Sequence, residues 1–222
     1  MIPAKGGVCI HTAIIGGGAA GVAAAIAAAE RGQQVTVLER GAKPLKKLGV
    51  TGNGRANLLN SGAPLYYGDK AFALAVLAQL PYPALASFFG TIGVPLPDES
   101  EGRVYPAALM ASVAVEALLL RARQLGVVFV TDTRVTAVER QSGGFMVRGV
   151  RTVAEGTPTQ DATPDSAWDS AATPGIAQTA VPPGAKRRTP ASPAREVPLM
   201  LPCDRVIVTV GGAAAPMHGT YG

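Results

Sequence analysis

Short apolar runs alternate with one alanine-rich helical pattern over the first forty residues. Residues 12–15 form an apolar run, glycine dominates residues 16–21, and residues 19–31 have a helix-forming composition that ends at Gly32. Residues 34–38 are a second apolar run, rich in β-branched side chains. A strand, a tight turn, a helix and a strand within thirty residues predict a βαβ unit with a parallel sheet.

After this unit the pattern changes to helices and then to strands. Three helical patterns cover residues 70–80, 83–93 and 107–125, with a loop predicted at 94–105. Five strand patterns follow at residues 127–131, 134–140, 144–150, 197–201 and 205–210. We therefore predict an α/β fold with a parallel sheet and additional antiparallel strands.

Residues 152–196 differ from the rest of the chain in composition. Of these 45 residues, 27 are Ala, Thr, Pro or Ser, and large aliphatic side chains are almost absent. Such a segment cannot bury enough apolar surface to offset its ordering entropy. We expect a disordered insertion that interrupts one domain, formed by residues 1–151 and 197–222. The strand and Gly-Gly turn near the end of the sequence lead us to expect an N-terminal fragment.

Charge and cysteine content limit the kinds of binding partner and the cellular compartment that we expect for this protein. The net charge is +5, but no basic stripe is interleaved with aromatic residues, so nucleic-acid binding is not indicated. Cys9 and Cys203 have no metal-ligand spacing and are expected to be buried free thiols, with no metal site. Residues 1–12 lack the apolar region of a signal peptide, and the apolar run at 19–29 is too short to span a bilayer. We expect a cytoplasmic protein with no membrane partner.

The run Gly-Gly-Gly-Ala-Ala-Gly at 16–21 fits the G-x-G-x-x-G pattern of dinucleotide-binding turns. Gly16 permits the tight turn, Gly18 lets the backbone approach a pyrophosphate, and Gly21 lets the helix lie close to the sheet. Glu39 follows the second strand, where a carboxylate can accept hydrogen bonds from an adenosine ribose and repel a 2′-phosphate, although Arg40 weakens that repulsion. These residues leave NAD and FAD open, and a glycine-rich turn without a ligand is the alternative.

A second motif brings in a resemblance to a known family. Residues 47–60 read K-L-G-V-T-G-N-G-R-A-N-L-L-N and resemble the signature K-L-x-x-T-G-N-G-R-C-N-x-T-N of a bacterial flavoprotein family. Its members are aminoacetone-oxidase-like FAD-binding enzymes with a glutathione-reductase-like fold. Residues 102–106 resemble the family's G-R-V-F-P, and residues 204–212 its D-x-V-I-x-A-T-G-G strand. The chain departs from these patterns at Ala56, Leu59 and Val210.

The resemblance implies a Rossmann-like FAD/NAD(P)-binding domain with FAD as the cofactor, and it places the antiparallel strands in a β-meander that contains the insertion. It puts Lys47, Gly52, Asn53, Gly54 and Arg55 along the flavin and the phosphates, Val135 beside the adenine, and Gly211 and Gly212 close to the cofactor. Together with the first motif, the expected cofactor-binding residues are Gly16, Gly18, Ala20, Gly21, Glu39, Arg40, Lys47, Gly52, Asn53, Gly54, Arg55, Val135, Gly211 and Gly212.

The expected function is that of an FAD-dependent oxidoreductase acting on a small molecule, with NAD(P)H as a candidate electron donor. Amine oxidation and enone reduction are the two reactions that the resemblance suggests. No catalytic side chain is expected, because the flavin carries the redox chemistry. The alternatives are a dinucleotide-binding fragment without activity and an NAD-dependent dehydrogenase.

Overall fold

The computed structural model describes residues 9–62, 68–97, 100–154 and 194–211. Five helices lie within these residues: α1 (Ala19–Ala29), α2 (Thr51–Gly54), α3 (Lys70–Gln79), α4 (Tyr82–Thr91) and α5 (Ala111–Gln124). The strands are β1 (His11–Ile15), β2 (Gln34–Leu38), β3 (Leu59–Asn60), β4 (Arg103–Val104), β5 (Val128–Val130), β6 (Thr133–Gln141), β7 (Gly144–Ala154), β8 (Ala194–Cys203) and β9 (Arg205–Val208).

The main sheet has four parallel strands in the order β5-β2-β1-β9. The predicted βαβ unit is confirmed, since β1 and β2 pair in parallel through the crossover helix α1. Strand β9, the last one in the described residues, pairs with β1, with Thr12 opposite Arg205 and Ile15 opposite Val208. The carboxyl ends of β1, β2 and β9 therefore meet at one edge of the sheet.

Helices cover one face of this sheet. Ile14 and Val37 point into a core shared with Val22 and Ile26 of α1 and with Leu118 of α5. The buried residues of α5 are Ala111, Ala114, Leu118 and Ala122. Their spacing of three and four residues places them on one face of the helix, as expected for an amphipathic helix on a sheet. The small side chains allow α1 and α5 to pack closely.

A three-stranded antiparallel sheet, β6-β7-β8, covers the opposite face. Ala13 and Ile15 of β1 alternate with Ile14 and pack there against Val147 and Cys203. The domain therefore has three layers: helices, the parallel sheet and the β-meander. This confirms the predicted fold class.

The boundaries of the predicted insertion need correction. Thr152 pairs with Glu196 and Val153 with Arg195, so β7 and β8 continue three residues into each end of residues 152–196. Backbone ladder bonds do not depend on apolar side chains, so a composition argument misses such strand ends. The disorder expected for residues 155–193 stays a prediction, because these residues lie outside the described residues.

Two further elements differ from expectation. The segment predicted as a loop at 94–105 contains β4, which pairs with β3. Helix α5 begins at Ala111 rather than at residue 107, because Leu109 has a left-handed φ of 52° and Met110 is extended. Cys9 is exposed, against the expectation of a buried thiol, whereas Cys203 is buried.

Within the described residues, no single helix has the length and apolar composition of a membrane span. The pair α3 and α4, bent by 52°, passes that test when the two helices are taken together.

Candidate functional site

The glycine turn connects β1 to α1 at the carboxyl edge of the sheet. The Gly16 N–H donates to the Leu38 carbonyl at 2.8 Å, and the Gly18 carbonyl accepts from the Val22 N–H at 2.9 Å. A Cβ atom built on Gly21 would lie 1.9 Å from the Gly16 carbonyl oxygen. The turn therefore lies directly against the first turn of α1, and no side chain fits between them, as the motif predicts.

The start of α1 has the features of an anion-binding helix end. The first backbone N–H groups of a helix have no acceptor within the helix, and they carry the positive end of its dipole. Gly18 is the N-cap residue and provides no side-chain cap, and no acidic residue lies in the first turn. A Cβ built on Gly18 would meet no atom within 4 Å, and Ala19 and Ala20 are exposed. An anionic group can therefore approach these donors.

Glu39, directly after β2, points at the same turn. Its Oε2 accepts a hydrogen bond from the Gly17 N–H at 2.6 Å, and its Oε1 accepts one from the Gly41 N–H at 2.7 Å. A carboxylate has about four acceptor positions on its two oxygens, so both oxygens retain capacity for a ligand hydroxyl. The structure thus brings Glu39 and the glycine turn together. Arg40 is exposed next to Glu39.

Two residues at this turn were not predicted from the sequence, namely Gly17 within it and Thr209 in contact with it. A Cβ on Gly17 would lie 3.1 Å from the Glu39 side chain and from Pro44, so Gly17 leaves space for the carboxylate. Thr209, just after β9, lies with its hydroxyl 2.9 Å from the Gly16 carbonyl and 3.0 Å from the Ile15 carbonyl. Gly17 lies inside the motif at a variable position, and Thr209 contacts the turn only because β9 pairs with β1.

Gly211 lies two residues after Thr209. It has a φ of 82°, a conformation that favours glycine. It is exposed near the same edge of the sheet. Gly212 lies outside the described residues. The role of both glycines at the cofactor stays a prediction.

The second motif forms a compact turn connected to the first. The Leu45 N–H donates to the Gly17 carbonyl at 2.8 Å, and the Leu45 carbonyl accepts from Gly49 at 3.1 Å. Half-buried Lys47 lies within this connection. Helix α2 then follows, with left-handed dihedral angles at Gly52 and Asn53.

Arg55, at the end of this turn, lies over an aromatic ring. The carbon at the centre of its guanidinium is 4.5 Å from the ring centroid of Tyr105, which is only 4% exposed. Asn53, Gly54 and Arg55 are themselves exposed. Tyr105 was not predicted as a site residue, although the motif at 102–106 marked the segment that contains it.

Val135 lies on β6, where the meander packs under the parallel sheet. Its half-buried side chain packs against the second core, and Val135 pairs with Gly149 of β7. The pairing of β6 with β7 is irregular between Val135 and Ala137, and such bulges leave a residue unpaired in the ladder. Contact with adenine stays a prediction for this residue.

Buried titratable groups and cavities lie elsewhere. Burial raises the pKa of the Cys203 thiol, which is partly opposed by a hydrogen bond with the backbone of Ala13. This thiol belongs to the core between the two sheets. A cavity of about 290 Å³, lined by Thr12, Ala24 and Gln33 among others, lies at the opposite end of β1 from the glycine turn. The candidate site is therefore an open edge of the sheet rather than this cavity.

Comparison with known proteins gives a family and several relatives. The model of the family described as HI0933-like protein Rossmann domain matches residues 10–159. A 3-dehydro-bile acid delta(4,6)-reductase from Clostridium scindens is 39% identical over 140 residues, which are 61% of this chain. The match covers 34% of that reductase, so the chain spans about a third of the length of this relative.

The solved structures that match this chain are less similar to it in sequence than the reductase is. Thermovibrio ammonificans THI4 is 16% identical with a TM-score of 0.41, and the match covers 64% of this chain and 46% of that protein. Glycine oxidase from Bacillus cereus is 15% identical with a TM-score of 0.41, over 63% of this chain and 51% of the oxidase.

Proposed function

The chain belongs to the HI0933-like family of Rossmann domains, and from this premise we propose that it binds FAD and is the cofactor-binding part of an FAD-dependent oxidoreductase. The observation that carries the proposal is the contact between Glu39 and the glycine turn. It places a carboxylate beside an uncapped helix start, the pairing needed to bind an adenosine ribose and a pyrophosphate together.

The residues present fit FAD in charge and in space. In this proposal the open surface at Gly18 receives the pyrophosphate, with Gly16, Ala20 and Gly21 shaping the turn beside it. Glu39 accepts hydrogen bonds from the adenosine ribose. Positive charge near the phosphates comes from Lys47 and Arg55, and Asn53 offers an amide to the flavin side. The remaining assigned residues are Arg40, Gly52, Gly54, Val135, Gly211 and Gly212.

FAD, when bound, supplies the transfer of a hydride to or from an organic substrate. We propose enone reduction, in which NAD(P)H and a proton provide the two hydrogens that saturate a carbon–carbon double bond. The reductase from Clostridium scindens, which its name assigns to a 3-dehydro-bile acid, supports this reaction over amine oxidation. Aminoacetone oxidation is the second reaction of the proposal, and it comes from the resemblance of residues 47–60 alone.

Titration of the 222-residue chain with FAD, followed by quenching of flavin fluorescence, tests the binding. FMN, which lacks the adenosine half, is the matched ligand, and we expect it to bind far more weakly. Glu39→Gln keeps the shape of the side chain but removes its charge. Because a hydrogen bond to a charged group is worth about 1.5–3 kcal/mol, we expect the Kd for FAD to rise about tenfold to a hundredfold.

Glu30→Gln is the control for loss of a carboxylate, since Glu30 forms an exposed ion pair with Arg121 at 2.8 Å and lies at the far end of α1. Equal affinity for FAD and FMN, or no binding of either, contradicts the proposal. NAD(P)H-dependent bleaching of the flavin absorbance then separates an oxidoreductase from a domain that binds the dinucleotide without turnover. If the chain binds NAD and does not bind FAD, the result favours the alternative of a nicotinamide-dependent dehydrogenase.

A further inference from the structure

The two motifs at residues 51–55 and 102–106, separated by more than forty residues, form one structural unit. The strands β3 and β4 pair, with Leu59 opposite Val104. The Leu58 N–H also donates to the Val104 carbonyl at 2.9 Å. This short ribbon places Tyr105, the residue after β4, under Arg55, which precedes β3.

The local backbone leaves room for the ring of Tyr105. A Cβ built on Gly52 would lie 2.9 Å from Cε1 of that ring. A side chain at position 52 would therefore collide with the ring in this position. The position of the Tyr105 ring therefore depends on the absence of a side chain at residue 52.

Arg55 is held in place, and within the described residues it forms no ion pair with a carboxylate. Its guanidinium stacks on Tyr105, and its Nε and Nη2 make only long contacts, 3.4 Å to the Gly52 carbonyl and 3.5 Å to the Tyr105 hydroxyl. The ion pairs of Arg103 with Glu101, Arg121 with Glu30 and Arg148 with Glu139 all involve other arginines. An exposed and oriented guanidinium with no carboxylate partner among the described residues is suited to bidentate contact with a phosphate.

We infer that Tyr105 is a positioning residue, which acts through Arg55 by fixing the plane of its guanidinium for the pyrophosphate of the bound dinucleotide. This inference rests on the proposed function. Stacking on the ring limits the rotation of a long side chain, so less entropy is lost when the arginine meets the anion. The face of the ring also attracts the cation, and this attraction depends on the aromatic system rather than on the hydroxyl.

A double-mutant cycle on the whole chain tests this inference, with the Kd for FAD as the measurement. We expect Tyr105→Leu to raise the Kd about tenfold and Tyr105→Phe to leave it within about twofold, because the ring carries the cation–π contact. In the Arg55→Gln background, Tyr105→Leu should change the Kd little further. Arg121→Gln, which removes an arginine on α5, is the control and should bind FAD like the unmodified chain.

Arg55→Lys covers the case in which Tyr105→Leu does not fold. It retains the charge but loses the planar stack, and we expect a Kd about tenfold higher. A lysine variant that binds as well as the unmodified chain overturns the inference. So does a Tyr105→Leu effect of equal size with and without Arg55, which would mean a general structural role.

The two proposals fail in different ways. If the unmodified chain binds no FAD, the proposed function fails and the inference fails with it. If the unmodified chain binds FAD but Tyr105→Leu binds equally well, only the role of Tyr105 is wrong.

Discussion

Two glycine-rich turns form the candidate site, and they use glycine for different physical reasons. In the turn between β1 and α1, Gly21 is required because neighbouring backbone occupies the space of a side chain, with 1.9 Å between a built Cβ and the Gly16 carbonyl oxygen. In the turn at α2, Gly52 has a left-handed φ of 56°, and a built Cβ would also lie 2.7 Å from the Asn57 nitrogen. At Gly21 the limit is space alone, whereas at Gly52 backbone direction adds to it.

This difference separates the packing role of a glycine from its ligand role. Gly18 belongs to the first turn but has ordinary dihedral angles, φ −76° and ψ −176°, and open space where a Cβ would be. Gly21 is needed for the fold itself. The absence of a side chain at Gly18 matters only for an approaching ligand. Stability and binding measurements on matched variants can therefore test the two turns separately.

Gly21→Ala should have the largest effect on stability. The added methyl group meets the Gly16 carbonyl and the Thr209 hydroxyl, and the backbone oxygen cannot move without breaking the turn. We expect the free energy of unfolding to fall by about 3 kcal/mol, the upper end for overpacking, despite the better helix propensity of alanine. Urea denaturation measures it. Ala20→Ser, at an exposed neighbouring position, is the control, and a Gly21→Ala chain of unchanged stability would contradict the close approach.

Gly52→Ala should have an intermediate effect. A left-handed conformation costs a residue with a side chain about 1–2 kcal/mol, and here the methyl group would also lie 2.7 Å from the Asn57 nitrogen. We expect a loss of about 2 kcal/mol in the free energy of unfolding. Gly143→Ala is the control, because its Cβ would meet no atom within 4 Å and its φ is not left-handed. Equal losses for the two variants would show that neither backbone direction nor space limits position 52.

Gly18→Ala should have the smallest effect on stability and a clear effect on binding. We expect less than about 1 kcal/mol of change in unfolding free energy, the difference between glycine and alanine as an N-cap. The Kd for FAD should rise about tenfold, equivalent to about 1.4 kcal/mol, because the methyl group would occupy the surface proposed for the pyrophosphate. Thermal unfolding and flavin fluorescence on the same sample give both values. Unchanged FAD affinity would contradict the placement of the pyrophosphate at Gly18.

Local patterns made the first half of the site predictable. The strand, glycine turn and helix at residues 11–29 are contiguous, and their hydrophobic periods and glycines act within one turn of the chain. Glu39 lies at the same opening, because parallel pairing of β1 and β2 brings their carboxyl ends together. Residues that depend on distant pairing were not found in this way. Thr209 reaches the turn through β9, and Tyr105 reaches Arg55 through the two-residue strands β3 and β4, which are too short to show a period.

The sequence by itself determined the βαβ unit, the glycine turn and its acidic partner, since each is specified by backbone freedom and hydrophobic period over a few neighbouring residues. Only the tertiary structure decided the strand order β5-β2-β1-β9, the meander on the second face and the stacking of Arg55 on Tyr105. These features join residues up to 194 positions apart, as in the contact of Thr209 with Ile15. Such contacts depend on how whole elements pack together, which no local pattern of side chains records.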